Sequence, residues 1–118
     1  MPYKDSAKQK AAQRSHYLNR KQRYVDRARA IRFRNQQYVM AYLKTHPCIV
    51  CGENDIVVLE FDHRDPSQKE DSINNACGGR FFSLKRLQEE IEKCDVLCAN
   101  CHRRKTARER GYFRYTHG

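Results

Sequence analysis

The 118-residue sequence has no tryptophan, only three prolines and five glycines, and few acidic residues in its first third. It contains no run of 18 apolar residues, so it predicts no transmembrane helix. Its opening residues 1–5 do not resemble a secretory signal peptide. Only 39% of the residues are hydrophobic and 32% are charged. We therefore expect a soluble cytoplasmic protein with one small domain and an arm, whose thin core needs a covalent or metal staple.

The positive charge lies at one end of the chain. Residues 1–45 hold twelve lysines and arginines against Asp5 and Asp26, whereas the twelve basic residues after them are balanced by twelve acidic ones. The net charge of +10 therefore belongs to the first segment. A basic arm beside a neutral domain favours a polyanionic partner, DNA or RNA, and no membrane partner. A solubilising or disordered tail is the alternative.

The arm carries a helical pattern. Residues 1–16 are polar and expected to be mobile, and residues 17–44 lack proline and glycine and predict a helix. One stripe at three- and four-residue steps contains Tyr24, Ala28, Ile31, Asn35, Tyr38 and Tyr42. We expect the stripe to dock on the C-terminal domain or to pair with a second copy. Four arginines mostly off the stripe are candidates for phosphate contacts: Arg20, Arg23, Arg27 and Arg34. An ordinary amphipathic helix with a solvated basic face is the alternative.

Residues 45–118 are predicted to form a second unit, after an arm that covers residues 1–44. His46-Pro47 ends the long helix because a residue before proline disfavours helical geometry. Further along we expect a strand over 56–63, a loop over 67–80, a helix over 84–93 capped by Ser83, an extended piece over 95–97 and a helix over 100–110 that ends at Gly111.

The six cysteines are expected to be reduced, which favours metal ligation over disulfides. Four of them form two C-x-x-C pairs, Cys48 with Cys51 and Cys98 with Cys101. Two such pairs predict one tetrahedral structural zinc site, with a substructure looped out between them. Redox pairs or buried thiols are alternatives, although a thioredoxin-type pair needs a βαβ setting that the pattern lacks. The other two cysteines are interpreted as buried or incidental thiols: Cys77 and Cys94.

Closing the zinc site would bring the end of the strand beside the start of the last helix. Asp62, His63 and His102 can then converge, although they are far apart in the sequence. A carboxylate with an imidazole suits a Mg²⁺ or Mn²⁺ ion that keeps several waters and binds a phosphate. The second imidazole suits a general base. His46 and His117 lack such partners, and we interpret them as structural.

The sequence here resembles the HNH endonuclease family, in its zinc-containing branch that is common in bacteria and their phages. The resemblance covers about residues 45–110 and is carried by three segments: HPCIVCG at 46–52, LEFDHR at 59–64 and KCDVLCANCHRRKT at 93–106. It implies an α+β fold with a ββα-metal (His-Me finger) core. In that core two strands form a ribbon and the final helix packs across it, stapled by zinc and preceded here by the basic helix.

The resemblance also implies roles for individual residues. His63 would be the general base that deprotonates the attacking water. Asp62 and His102 would hold the catalytic divalent ion against the scissile phosphate and the leaving 3′ oxygen. The expected products carry 5′-phosphate and 3′-hydroxyl ends.

One position departs from the family pattern. In many relatives an asparagine nine residues before the last histidine steadies the loop that carries the catalytic histidine. Lys93 occupies that position in this sequence. Asn100 either serves instead or only caps the helix.

Several basic residues flank the predicted centre. Arg64, Arg103, Arg104 and Lys105 are expected to clamp the nucleic-acid backbone, since arginine suits bidentate phosphate contacts. The alternative is a solvated helix face, an interpretation that also applies to Arg108.

The leading hypothesis is a metal-dependent DNA endonuclease that nicks or cuts both strands, associated with DNA in a bacterial or phage-infected cell. The alternative is a zinc-ribbon DNA-binding or adaptor protein without catalysis, which would not need Asp62, His63 and His102. An RNA-binding zinc module is disfavoured because no exposed aromatic cluster is expected. Besides DNA, a second copy of the chain and a phage or host DNA-processing protein are the partners considered.

Overall fold

The computed structural model describes residues 6–78 and 82–118. The elements follow in the order α1 (Ser6–Thr45), β1 (Leu59–His63), a short 3₁₀ helix (Pro66–Gln68), α2 (Ile73–Gly78), α3 (Leu84–Glu92), β2 (Cys94–Cys98), α4 (Ala99–Arg110) and α5 (Phe113–His117). Helices are thus combined with a two-stranded sheet. The predicted α+β class and the long N-terminal helix are confirmed.

The sheet consists of β1 and β2 in antiparallel pairing. Leu59 lies opposite Cys98 at one end, and His63 lies opposite Cys94 at the other. The N–H of Ala99 donates to the carbonyl of Val58 at 2.8 Å, which continues the pairing by one bond beyond β1. Helix α4 then contacts both strands. Because side chains alternate along a strand, this register decides which residues of β1 face α4.

Helix α1 has two parts with different surroundings. Residues 7–27 are exposed, whereas the later part contributes the buried side chains of Asn35 and Leu43. The Asn35 amide donates to the carbonyls of Ala76 and Phe82 at 2.9 and 3.0 Å. The C-terminal part of the predicted stripe, which contains Asn35, therefore docks on the rest of the same chain. Helix α1 ends at Thr45, one residue past the predicted division at residue 44. The division into two units stays a prediction.

The core has two hydrophobic clusters on either side of α1. The first surrounds the sheet and contains Leu43, Leu59, Val96, Leu97 and three of the paired cysteines. The second contains Ile73, Ala76, Phe82, Leu87 and Ile91 from α2, α3 and the residue after the undescribed segment. Val39, Tyr42 and Phe61 pack against both. The C-terminal part of α1 therefore packs against both clusters, and Phe61 of β1 links the sheet to both.

The starts of α1 and β1 differ most from the sequence prediction. Helix α1 starts at Ser6 rather than about residue 17, because alanine, lysine and glutamine fill residues 6–16 and nothing there stops a helix. Residues 1–5 of the segment expected to be mobile lie outside the described part. Strand β1 starts at Leu59 rather than at 56, since Asp55 accepts from the N–H groups of Val57 and Val58 and forms a turn.

The predicted loop over 67–80 contains the 3₁₀ helix and α2, which buries Ile73 and Ala76. Its last two residues lie outside the described part. Helix α3 is capped as expected, with the Ser83 hydroxyl accepting from the N–H of Arg86 at 3.1 Å. Gly111 ends α4 in the left-handed conformation, at φ 63°. Helix α5 follows and was not expected.

Within residues 6–78 and 82–118, none of the helices combines the length and the apolar character that crossing a membrane requires.

Candidate active site

The two C-x-x-C pairs meet at the start of the sheet. The sulfur atoms of Cys48, Cys51, Cys98 and Cys101 all lie within 4.8 Å of one another. The sulfurs of Cys51 and Cys98 are 3.7 Å apart. Four thiolates bound to one tetrahedral zinc ion at about 2.3 Å would be separated by about 3.8 Å. The cluster is therefore close enough to hold a zinc ion, as the spacing predicts.

The pKa values of the cluster thiols shift in opposite directions. The hydrogen bond with Cys98 and burial raise the pKa of Cys101 to about 12. The pKa of Cys51 is also raised, because a lowering hydrogen bond from the Glu53 backbone is outweighed by its hydrogen bonds with Cys98 and Cys48. Burial by itself would raise the pKa of Cys48, but backbone hydrogen bonds from Cys51, Cys98 and Val50 outweigh it and lower that pKa to about 6. The Cys98 sulfur accepts from the N–H of Cys101 at 3.4 Å and caps α4. The metal cluster and the start of α4 are thus one unit, so binding an ion there fixes where α4 begins.

The opposite end of the sheet carries the predicted catalytic residues. His63 ends β1, four residues beyond Leu59, which pairs with Cys98. At about 3.4 Å per residue, His63 is about 13 Å along the strand from the cysteine cluster. The cysteine cluster therefore cannot be the site at which His63 acts.

Helix α4 places His102 against one face of β1. Nδ1 of His102 is 2.6 Å from Oε2 of Glu60, and Nε2 is 3.4 Å from Oδ1 of Asp62. Metal-binding histidines usually donate their second ring N–H to a carboxylate, which leaves the other nitrogen for the ion. Two ligand atoms at about 2.1 Å from one octahedral ion lie about 3 Å apart. The separation of the Asp62 and His102 atoms would therefore allow both to bind one divalent ion, and Glu60 holds the other ring nitrogen of the histidine.

Lys105, one turn after His102, pairs with the second oxygen of Asp62. That hydrogen bond raises the pKa of Lys105, opposed by burial and assisted by the charges of Asp62 and Glu109. The Lys105 ammonium thus neutralises the Asp62 carboxylate in this structure. The phosphate contact expected of Lys105 stays a prediction, and in this structure its ammonium forms an ion pair with Asp62, another predicted site residue.

His63 points away from Asp62, toward α3. Its Nε2 lies 2.7 Å from Oε1 of Glu90, whose side chain is only 2% exposed. Burial by itself would raise the pKa of Glu90. Hydrogen bonds from His63, from Lys93 and from the backbone of Glu70 and Asp71 lower the pKa by more than burial raises it, so the net shift is downward. The buried carboxylate therefore stays ionised. His63 is held by a charged partner inside the protein.

The two residues considered for the asparagine position have different surroundings. The Lys93 ammonium donates to Oε2 of Glu90 and to the carbonyl of Gln68, both at 3.1 Å, and the Lys93 carbonyl accepts from the N–H of Arg64. Lys93 thus ties the segment after His63 to the end of α3. Asn100 is exposed in the first turn of α4, where the capping side chain is that of Cys98. Lys93, rather than Asn100, contacts the segment that follows the histidine.

His63 and His102 line one cleft of about 630 Å³ between α1, α2 and β1. Val39, Met40 and Leu43 of α1 supply apolar lining. The polar lining comes from Gln36, Lys69, Ser72 and Asn74. The structure therefore brings Asp62 to His102 directly and brings His63 to the same cleft as His102, but it pairs His63 with Glu90 rather than with either of them.

The predicted nucleic-acid contacts differ in the long-range contacts that their side chains make within the chain. The Arg64 guanidinium donates to the Cys94 carbonyl and pairs with Asp95 at 3.1 Å, while half of the side chain stays exposed. The Arg34 guanidinium donates to Asn35 and to the Phe82 carbonyl, so it docks α1 although the residue is exposed. Also exposed are Arg103, Arg104 and Arg108 on α4 and Arg20, Arg23 and Arg27 on α1.

Aromatic side chains are exposed beside α4, contrary to the sequence prediction. Tyr112, Phe113 and Tyr115 are 43%, 75% and 55% exposed. Tyr115 lies near Arg103 and Arg104, with which it lines a shallow depression. The argument that disfavoured an RNA-binding zinc module, the expected lack of exposed aromatic side chains, is therefore wrong.

Sequence reasoning missed Glu60 and Glu90. Glu60 stands two residues before Asp62, and alternation along the strand puts both on one face, a signal that could have found it. Glu90 lies on α3 three residues after Leu87 and one before Ile91, both buried. Its place on the apolar face was the available signal.

No protein-family model matches this chain, and the comparisons with curated proteins and with solved structures found no match either. Its function must therefore be argued from its own residues.

Proposed function

We propose that the chain is a metal-dependent DNA endonuclease of the HNH type, with a structural zinc ion in the four-cysteine cluster. The observation that carries this proposal is the arrangement of Glu60, His102 and Asp62. A histidine oriented by one carboxylate presents its other nitrogen to a second carboxylate, as in metal sites that bind phosphate esters. A zinc ribbon that only binds nucleic acid has no need of this arrangement.

The resemblance implies a ββα-metal core, and the antiparallel β1–β2 sheet with α4 in contact with both strands supports that part of the proposal. His63 removes a proton from the water that attacks phosphorus. The bond between phosphorus and the 3′ oxygen breaks, and the leaving oxygen takes a proton from solvent water, which gives 5′-phosphate and 3′-hydroxyl ends. His63 is suited to this because a charged partner holds its ring and it lines the cleft.

Asp62 and His102 would hold the divalent ion, Mg²⁺ or Mn²⁺. When bound, that ion supplies stabilisation of the negative charge that develops on the phosphate and on the leaving oxygen. Lys105 would then be released from Asp62 and its ammonium would be free to contact a phosphate. The exposed Arg103 and Arg104 lie on the same helix and would contact the backbone beside it.

The exposed part of α1 would bind duplex DNA through its arginines. Arg20, Arg23 and Arg27 are exposed, and this segment carries the excess positive charge. Arg34 is left out of this proposal because it docks the helix.

The test is cleavage of supercoiled plasmid by zinc-loaded protein, with no added divalent ion, with Mg²⁺ and with Mn²⁺. Adding ions to zinc-loaded protein avoids the unfolding that a chelator could cause by removing zinc. We expect nicking or cutting only with added ion, and a loss of roughly 10³-fold or more in His63→Ala. His117→Ala is the matched control, since His117 lies on α5 away from the cleft. Absence of cleavage with every ion would refute the nuclease proposal.

The second candidate is a zinc-stabilised nucleic-acid-binding protein without catalysis, which the basic arm and the exposed Tyr112, Phe113 and Tyr115 favour. Binding of single-stranded DNA and RNA by the wild type, measured beside its plasmid cleavage, separates the two. Tight binding by a wild type that never cuts would support the second candidate.

A further inference from the structure

Glu90 is the most deeply buried acidic side chain among the described residues. The residue is 1% exposed and lies between Leu87 and Ile91, both in the second hydrophobic cluster. An ionised carboxylate is costly to bury and persists only where hydrogen-bond donors surround it. Its donors come from three segments: His63 of β1, Lys93 after α3 and the N–H of Glu70 in the loop between β1 and α2.

The hydrogen bond between Glu90 and His63 has a defined direction. An ionised carboxylate has no proton to give and can only accept. Nε2 of His63 must therefore carry the hydrogen that the 2.7 Å contact with Oε1 requires. In a neutral imidazole, the other ring nitrogen then has the free electron pair.

That other nitrogen, Nδ1, is open to solvent. No described residue forms a hydrogen bond with it, and none of the buried side-chain nitrogens and oxygens in the described part is without a partner. An unpartnered Nδ1 therefore cannot be buried. The His63 side chain is 10% exposed, and the residue lines the cleft that it shares with His102.

We infer that Glu90 is the positioning residue of His63: it holds the ring by Nε2–H and leaves Nδ1 as the nitrogen that accepts the proton of the attacking water. The catalytic part of this inference rests on the proposed nuclease function, whereas the control of the ring by Glu90 does not. Glu90 touches neither substrate nor ion, so it acts only through His63.

Lys93 completes the arrangement. Its ammonium donates to the second oxygen of Glu90, while the first oxygen accepts from His63 and from the N–H of Glu70. This division of donors between the two oxygens prevents the carboxylate from rotating away from His63. The lysine at the family's asparagine position thus steadies the histidine through Glu90 and through the carbonyl of Gln68.

The direct test is the protonation site of the His63 ring in zinc-loaded, ¹⁵N-labelled full-length protein, read from multiple-bond ¹H–¹⁵N spectra under alkaline conditions where the ring is neutral. We expect Nε2–H in the wild type. Glu90→Met, which has a similar shape and no acceptor, should give a mixture of Nε2–H and Nδ1–H. Glu89→Gln, an exposed neighbour on α3, is the matched control and should match the wild type.

Plasmid cleavage is measured on the same proteins. We expect Glu90→Met to lower kcat by roughly 10- to 100-fold with KM little changed, because a misplaced base affects the reaction rather than DNA binding. Glu90→Gln keeps an acceptor oxygen and should retain the Nε2–H form while recovering part of kcat. Rescue by this conservative variant would not be expected if Glu90 only filled space.

The outcomes are distinguishable. A wild-type ring protonated at Nδ1 overturns the inference, even if Glu90→Met does not fold, and so does a folded Glu90→Met with the wild-type form. A shifted ring with unchanged kcat overturns the catalytic part. If the wild type never cuts but Glu90→Met shifts the ring, the nuclease proposal fails while the control of His63 by Glu90 stands.

Discussion

Two histidine–glutamate pairs flank the cleft, and they differ mainly in their exposure. In the His63–Glu90 pair the side chains are 10% and 2% exposed, and in the His102–Glu60 pair they are 30% and 48% exposed. The ring-to-carboxylate distances are almost equal, at 2.7 and 2.6 Å. The same contact is therefore built once inside the protein and once at its surface.

The difference in burial separates two tasks. A buried pair is poorly screened by water, so it holds its ring in one orientation and matters for folding. An exposed pair contributes little to stability, but its histidine can still adjust when an ion binds. This division suits a fixed base at His63 and an adaptable ligand at His102.

The largest effect is expected from a change that unfolds the domain and so disrupts both histidine–glutamate pairs. Cys98→Ser should abolish cooperative unfolding and zinc retention, because structural zinc contributes on the order of 10 kcal/mol whereas small domains are stable by about 5–15 kcal/mol. Calorimetry and measured zinc content check this. Cys77→Ser, outside the cluster, should keep both, and a folded, zinc-free Cys98→Ser would contradict the structural role of the cluster.

The next prediction compares the pairs directly. Glu90→Met should lower the free energy of unfolding by about 3 kcal/mol, because it leaves Lys93 without its buried partner. Glu60→Gln should change it by less than about 0.5 kcal/mol, since its carboxylate is half exposed. Glu60→Gln should instead weaken Mn²⁺ binding by roughly 10- to 100-fold. Urea unfolding and titration calorimetry measure the two, and equal stability losses would remove the distinction.

The pH dependence of stability should belong to the buried pair. The pKa of Glu90 is lower in the folded protein, so its contribution is present above the unfolded pKa and is lost as pH falls through the folded value. At neutral pH the wild type should exceed Glu90→Gln by about 2 kcal/mol, and the two should converge in acid. Both proteins contain the same cysteine cluster. Comparing their unfolding free energies at each pH therefore removes the effect of acid on that cluster. A stability difference between wild type and Glu90→Gln that grows in acid would contradict the lowered pKa of Glu90.

The smallest expected effect leaves both pairs intact. Replacing Arg20 and Arg23 by glutamine should reduce the salt dependence of DNA binding by about 0.9 per lost phosphate contact, without changing stability. Arg34→Gln is the matched control, because it should lower stability through the Phe82 carbonyl and leave the salt dependence unchanged. Fluorescence anisotropy across salt concentrations measures both variants. An unchanged slope in the double variant would exclude the arm from binding.

The cysteine cluster and several helix ends were predictable from short sequence patterns. The spacing of Cys48, Cys51, Cys98 and Cys101 predicted one cluster, and Ser83 and Gly111 marked helix ends through their own side-chain or backbone chemistry. These signals depend on neighbouring residues alone.

The partners of the histidines were not predictable in the same way. Strand alternation and the apolar face of α3 single out Glu60 and Glu90 as unusual acidic residues, but only tertiary packing shows which histidine each one contacts. The same holds for Arg34, whose guanidinium docks α1 on a carbonyl 48 residues away. Roles that depend on long-range contacts leave little trace in a single sequence.

The unbroken course of α1 has a consequence for the size of the contact with DNA. No glycine or proline interrupts Ser6–Thr45, so the exposed residues 7–27 continue, with no residue that would cause a sharp kink, from a helix whose other end lines the cleft. Those 21 residues span about 30 Å, roughly nine base pairs of duplex. In the proposed nuclease, an arm of this length would extend the contact with DNA well beyond the cut.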